Sequence, residues 1–353
     1  MIRYLAEEEK PMCRELWEEA FPEDSKEFGD YYFGEKVKGN RILALVGEGG
    51  NAADCRIDAM VHLNPYRLMV RELTWEVDYL VGVATRREKR HRGYMRRLLL
   101  RMMEDMHQEQ APFCFLMPAD EAIYLPFGFT YIFRQPRFSL GGGWEPDVQD
   151  VAAEAGGMSY GERLAALARW MEEWLGRRCQ VYARRDEAYL RRLVDELASE
   201  GGTLEILSDG GAIAGAMAWW GREKREQRLL YGDRPYVDEA ETPGKPAVMA
   251  RIISPEAFMA AIRLKKGAGK KCVIPLRIRD PLISANDGEW QWHLGEETSW
   301  LERGGKGEGM LPGLDLTVAQ LTSWMFGYEV PEAAKPYDGL VDTLQGVFLD
   351  EVV

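Results

Sequence analysis

The chain is poor in the residues that build metal centres and disulfide frameworks. Its five cysteines (Cys13, Cys55, Cys114, Cys179 and Cys272) show no C-x-x-C spacing, and an odd count fits reduced thiols better than bridges. Its four histidines (His62, His91, His107 and His293) are dispersed, which speaks against a dedicated zinc site, so chemistry without a metal is expected. No stretch approaches the ~18 consecutive apolar residues a membrane span needs. The N-terminal segment MIRYLAEEEKPMCREL has charges throughout and no apolar core of a secretory signal. These absences predict a soluble, cytoplasmic, globular protein. Two nucleotide signatures are also missing: there is no G-x-x-x-x-G-K-[ST], and no G-x-G-x-x-G at the turn discussed below.

What is present is 353 residues, enough for two or three domains, with 46% hydrophobic content to fill their cores. The formal net charge is −13. Against that, positions 86–101 hold eight Arg or Lys and one Glu, which leaves −20 on the rest of the chain. An acidic field repels phosphate backbones, so nucleic acid is not expected as the main partner. The same field is compatible with cationic substrates.

Hydrophobic periodicity divides the chain into an α/β (α+β) architecture of three blocks. In the first, 1–141, EEEKPMCRELWEEAF and DSKEFGDYYFGEKV read as helices. RILALVGEG, CRIDAMVHLNPYRLMV and TWEVDYLVGVAT read as strands, and so do APFCFLMP and FTYIFRQPRFSL. Between them, a helix over about 93–110 places Met95, Leu98, Leu99, Met102 and Met106 on one apolar stripe. The GGGWEPD linker opens a second block, 142–246, with helices in GERLAALARWMEEWLGRR and RRDEAYLRRLVDELASEGG. A hairpin in TLEILSDGGAIAGAMAWWG turns at SDGG. The third block, 247–353, opens with VMARIISPEAFMAAI, a strand leading into a helix. KKCVIPLRIRDP, GEWQWHLG and TSWLERGG then form antiparallel strands, and TVAQLTSWMFG a helix capped by Thr317. Apolar residues in LVDTLQGVFLDEVV point to a docked final segment.

The basic run follows the strand YLVGVAT and precedes the amphipathic helix. A helix N-terminus presents unpaired N–H groups and the positive end of a dipole, so a glycine-bearing basic loop there forms an anion cradle. Arg90 and Arg92 can screen phosphate charge, and Gly93 lets the backbone approach closely, which suits a diphosphate. A solvated helix start or a nucleic-acid patch is the competing reading. The run REKREQR at 222–228 echoes REKRHRG, but no glycine follows it, so a second cradle is not expected there.

Arg90-His91-Arg92-Gly93-Tyr94-Met95 matches R-x-x-G-x-x and resembles the coenzyme A pyrophosphate loop of GNAT N-acetyltransferases, with Met95 where Gly or Ala is usual. Taken with LMPADEAIYLPFGFTYI and the two following blocks, the whole chain resembles acetyltransferases of the enhanced intracellular survival (Eis) type. That resemblance implies an N-terminal GNAT domain, a second GNAT-like domain without its own cofactor loop, and a C-terminal domain similar to sterol carrier proteins. It implies acetyl-CoA as acetyl donor, a small amine as acceptor, and a homo-oligomer. It also implies that Val81 and Val83 offer main-chain groups to pantetheine. Arg90, His91, Arg92, Gly93, Tyr94, Met95 and Arg96 would hold the diphosphate, and Ala119 and Asp120 would belong to a cofactor-contacting loop. Tyr124 would sit beside the thioester sulfur, with the carboxylate of Val353 reaching the same pocket.

Such groups suit acetyl transfer to nitrogen. The attacking amine must be neutral, the tetrahedral oxyanion needs N–H donors and the departing thiolate needs a proton. A tyrosine with a reference pKa of about 10 can protonate a thiolate of about 8.5 where water is excluded. A terminal carboxylate near 3.5 is too weak a base to hold the amine's proton and is expected to orient the amine. The acceptor expected from the acidic surface is a polycation such as a polyamine or aminoglycoside. A lipid carrier and a non-catalytic acetyl-CoA sensor are the rival readings. KKGAGKK at 265–271 reads as a solvated turn, and Trp219, Trp220, Trp290 and Trp292 as core or interface.

Overall fold

The computed structural model describes residues 1–47, 56–154, 157–222, 224–269, 271–304 and 311–351. Val353, implicated above by resemblance, and Cys55 lie outside the described residues.

The first block is built on β1 (Ile2–Tyr4), β2 (Arg41–Val46), β3 (Ile57–Val70), β4 (Leu73–Thr85), β5 (Phe113–Leu116) and β6 (Thr130–Gln135). β1 to β4 form an antiparallel meander and β5 runs parallel to β4. The helices α1 (Arg14–Ala20) and α2 (Lys26–Tyr31) cover one face, and α3 (Tyr94–Gln108) covers the other. Alternation along the strands sorts the side chains. Leu43, Leu45, Val61 and Leu63 pack with Leu98, Leu99, Met102 and Met106 of α3, while Ile42, Ala44 and Met60 pack with Leu16, Trp17 and Tyr32. The predicted stripe of α3 is therefore buried, with Met103 added and Met95 half-buried at its start.

The strand expected to open the third block is placed differently. Lys245–Ile252 inserts between β5 and β6, antiparallel to both, and completes the first sheet. Val248, Met249, Ala250 and Ile252 are all buried, because a central strand covered on both faces needs apolar residues in an unbroken run. The second block also reaches this sheet: Val181–Ala183 pairs with the far end of β3, and Val347–Phe348 pairs in parallel with Val181–Ala183.

The rest of the second block is a four-stranded sheet carrying helices α4 (Tyr160–Gly176) and α5 (Glu187–Ser199). Ser159 caps α4 reciprocally with Glu162, and Asp186 caps α5. The SDGG hairpin forms as expected, with Gly210 and Gly211 both at positive φ. In the third block Cys272–Arg279, Gly288–Leu294 and Ser299–Arg303 form the predicted antiparallel strands, and Leu314–Thr317 adds in parallel. Trp290 and Trp292 are buried there, whereas Trp219 and Trp220 are half-buried under Arg225 and Arg228.

Candidate active site

β4 and β5 part almost as soon as they meet. Their ladder registers a single pair, Tyr79 opposite Phe115, and among the described residues β4 continues to Thr85 with β3 as its only partner beyond that point. The cause is local to YLVGVAT. Between the pairs Ala84–Met60 and Val81–His62, Gly82 and Val83 of β4 oppose Val61 alone, a bulge that bends the strand. Gly82 takes φ +57, and a Cβ there would stand 2.6 Å from the Trp17 ring. Only glycine meets both conditions. The extra residue also resets the alternation: Leu80 and Val83 pack toward α3, while Val81 packs on the opposite face. Val81 and Val83 thus flank the bend of a strand that has no registered pair with β5 beyond Tyr79.

The strand delivers the chain into the basic turn. Not all of the run serves an anion. Arg86 is 1% exposed, donates to the Ile57 carbonyl and pairs with Glu15 and Glu19 of α1, so it anchors the turn. A short 3-10 turn, Arg87–Lys89, follows, and Arg90 Nε donates to the Thr85 carbonyl at 3.2 Å. His91 and Gly93 have φ of +61 and +73, which folds the backbone into a concave loop. Gly93 is the N-cap of α3 and offers no side chain to the first turn, leaving its N–H groups outward. Arg90, His91, Arg92 and Gly93 are exposed, and Tyr94 and Met95 half-buried. Arg96 lies over the Phe127 ring at 5.8 Å and so links the turn to the Tyr124 segment. Among the described residues, Arg90, Arg92 and Arg96 have no carboxylate within ion-pairing distance, unlike Arg86 and Arg101.

Tyr124 joins two 3-10 turns, Glu121–Ile123 and Leu125–Phe127. The Asp120 carboxylate caps the first by accepting from Ala122 N–H at 2.9 Å, and Ala119 and Asp120 are exposed. Gly128 ends the second at φ +76, where a Cβ would collide with the Arg251 guanidinium. Arg251 comes from the inserted strand Lys245–Ile252. It donates to the Phe127 carbonyl at 2.9 Å and forks onto Asp280 at 2.7 and 2.8 Å, all fully buried. The Tyr124 side chain packs in the cluster of Leu80, Leu116 and Phe129, with an edge-on contact to Phe129. Burial pushes its phenol up to about 12, so it stays protonated across the physiological range.

Sequence reasoning missed the groups that approach the split from the other face. The Tyr79 hydroxyl donates to the Glu351 carbonyl at 3.1 Å. Glu351 and Asp350 are held by Arg185, at 2.7 and 2.8 Å, with Tyr189 on Glu351 and Tyr231 on Asp350. Arg228 donates to the Asp350 carbonyl at 2.7 Å. Apart from Tyr79, these partners belong to the second block. The lone glycine inside YLVGVAT was the readable sign of the bulge, but nothing near Arg185 or Arg228 in sequence points to residues 350–351.

The sequence matches the acetyltransferase (GNAT) domain family over residues 1–132 and the sterol carrier protein domain family over residues 255–347. No curated protein matches it. Three solved structures align over 100% of this chain. A probable N-acyltransferase of Enterococcus faecalis V583 is 15% identical, with TM-score 0.77 and 99% of its own chain covered. A GCN5-related N-acetyltransferase of Kribbella flavida is 17% identical, with TM-score 0.67 and 98% covered. Eis1 of Mycobacterium abscessus is 13% identical, with TM-score 0.68 and 100% covered. At such identities the likeness is one of fold. The chain thus carries an acetyltransferase (GNAT) domain followed by a sterol carrier protein domain, in a full-length fold that it shares with Eis1.

Proposed function

We propose that the protein transfers an acetyl group from acetyl-CoA to the amine of a small acceptor by direct attack on the thioester. The observation that carries this reading is the parting of β4 from β5 beyond Tyr79, directly before a basic turn at a helix N-terminus. The bulged strand would receive pantetheine at Val81 and Val83. Arg90, Arg92 and the N–H groups of residues 93–96 would hold the diphosphate. Ala119 and Asp120 would border the donor.

In the reaction the amine nitrogen forms a bond to the carbonyl carbon, the C–S bond breaks, and the products are an acetamide and coenzyme A. The amine loses one proton and the thiolate gains one, so the step is proton-neutral. The oxyanion would be met by main-chain N–H groups of the bulged strand. Tyr124, held protonated by its burial, would give its proton to the thiolate. The acidic surface favours the approach of an ammonium group. In this reading 1–141 is the catalytic domain, 142–246 a second domain without a cofactor loop, and 247–353 the sterol-carrier-like domain, whose leading strand completes the catalytic sheet.

The test is calorimetric binding of coenzyme A, together with thiol release from acetyl-CoA in the presence of amines that include polyamines, aminoglycosides and amino acids. Binding with amine-dependent release is expected. Coenzyme A binding with no amine accelerating release would replace this reading with that of a sensor.

A further inference from the structure

The charged run at 222–228 found no use as a second cofactor loop, yet its last residue is turned inward. Arg228 is 8% exposed and lines a cavity of about 220 Å³ between the first and second blocks. Its Nη2 serves the Asp350 carbonyl, but Nε and Nη1 are buried with no hydrogen-bond partner. A guanidinium with unmet donors in a buried position is costly unless an acceptor arrives from outside.

The cavity's own carboxylates are already engaged. Glu196 pairs with Lys36 at 2.6 Å, and Glu351 is held by Arg185 and Tyr189. Arg192 and Arg228 have no carboxylate within ion-pairing distance among the described residues. Although the protein is acidic, this cavity therefore offers positive charge.

Its position links it to the proposed chemistry. Tyr66, in the cavity wall, sets its ring edge-on against Tyr79 and Phe115 at 5.8 and 6.0 Å, and these two form the last rung before the split. Glu351, also in the wall, accepts from Tyr79. The cavity thus meets the split on the face away from α3.

We propose that this cavity is a carboxylate-binding subsite, and that the acceptor is a small amino acid or similar zwitterion whose amine faces the split while its carboxylate binds Arg228, with Arg192 in support. This rests on the amine-acetylating reading above and names its substrate class. At roughly 30 Å³ per water-sized unit the volume suits a molecule of amino-acid size.

The test uses the twenty amino acids, their carboxamides and their decarboxylated amines, titrated calorimetrically into protein saturated with coenzyme A. At least one amino acid should bind about tenfold or more tighter than both of its neutralised counterparts, as a charge-assisted hydrogen bond requires. Arg228→Gln should abolish that preference, Arg228→Lys should keep part of it, and the surface variant Arg192→Gln should reduce it in a protein certain to stay folded by thermal melting. Absence of any carboxylate preference, or a preference untouched by both Gln variants, overturns the proposal. Selective binding without thiol release keeps the subsite and removes the acetyl-transfer reading; release without selectivity does the reverse.

Discussion

Two arginine-rich regions flank the β4–β5 split, and they use the same side chain in opposite ways. In the turn after β4, Arg90 and Arg92 are exposed and, among the described residues, without carboxylate partners, as the proposed diphosphate site requires. In the socket of the second block, Arg185 is 1% exposed and both its ion pairs are internal, to Asp350 and Glu351. The first arrangement leaves binding free energy available for a substrate, while the second consumes it in holding residues 350–351 against Tyr79. Arg228 stands between them, buried like Arg185 and incompletely paired like Arg92.

The largest effect separating the two regions is expected at the socket. Arg185→Ala leaves two buried carboxylates unpaired and should cost about 3–5 kcal/mol in urea unfolding; a loss no greater than that of a surface ion pair would show the socket to be dispensable. Next, Tyr124→Phe should lower kcat about a hundredfold with the acetyl-CoA KM nearly unchanged, and equal turnover would remove its acid role. A third effect concerns acid lability. His62, on β3 opposite Val81, is pushed down to about 3, first by burial and then by the charge of Lys10. Its unfolded-state value is near 6.5, so the native state resists protonation that the unfolded chain accepts. Stability should fall as pH drops from about 6.5 to 3, and His62→Gln should flatten that slope in pH-dependent melts. Smaller still, Gly93→Ala meets no atom within 4 Å but must hold φ +73. It should cost about 1–2 kcal/mol of stability and weaken coenzyme A binding through the shifted turn. The smallest is Arg92→Ala. It should raise the acetyl-CoA KM about threefold, with the difference shrinking at high salt, and leave the melting temperature unchanged.

How far the sequence was readable follows the same division. The turn was legible because its signals are adjacent in the chain: a strand, a basic loop with Gly93, and a helix with a 3.6-residue stripe. Tyr124 was singled out by resemblance and by the LPFGF sequence beside it. Arg86 was counted with the basic run, and nothing in the run shows that Glu15 and Glu19 of α1 fold back upon it. VMARII was read correctly as a strand but grouped with the third block without a sheet, because an apolar run states that a strand is buried without naming its neighbours.

The sequence alone determined the elements, the caps at Ser159, Asp186 and Thr317, the bulge glycine and the basic turn before α3. Each depends on residues within a few positions of one another, where backbone sterics and periodicity act. Tertiary structure alone decided that Arg251 braces the Tyr124 turn, that Arg185 seats residues 350–351, and that Arg228 faces a cavity with donors unmet. Those contacts join positions more than a hundred residues apart, and which buried charge meets which is settled only when the sheets close around them.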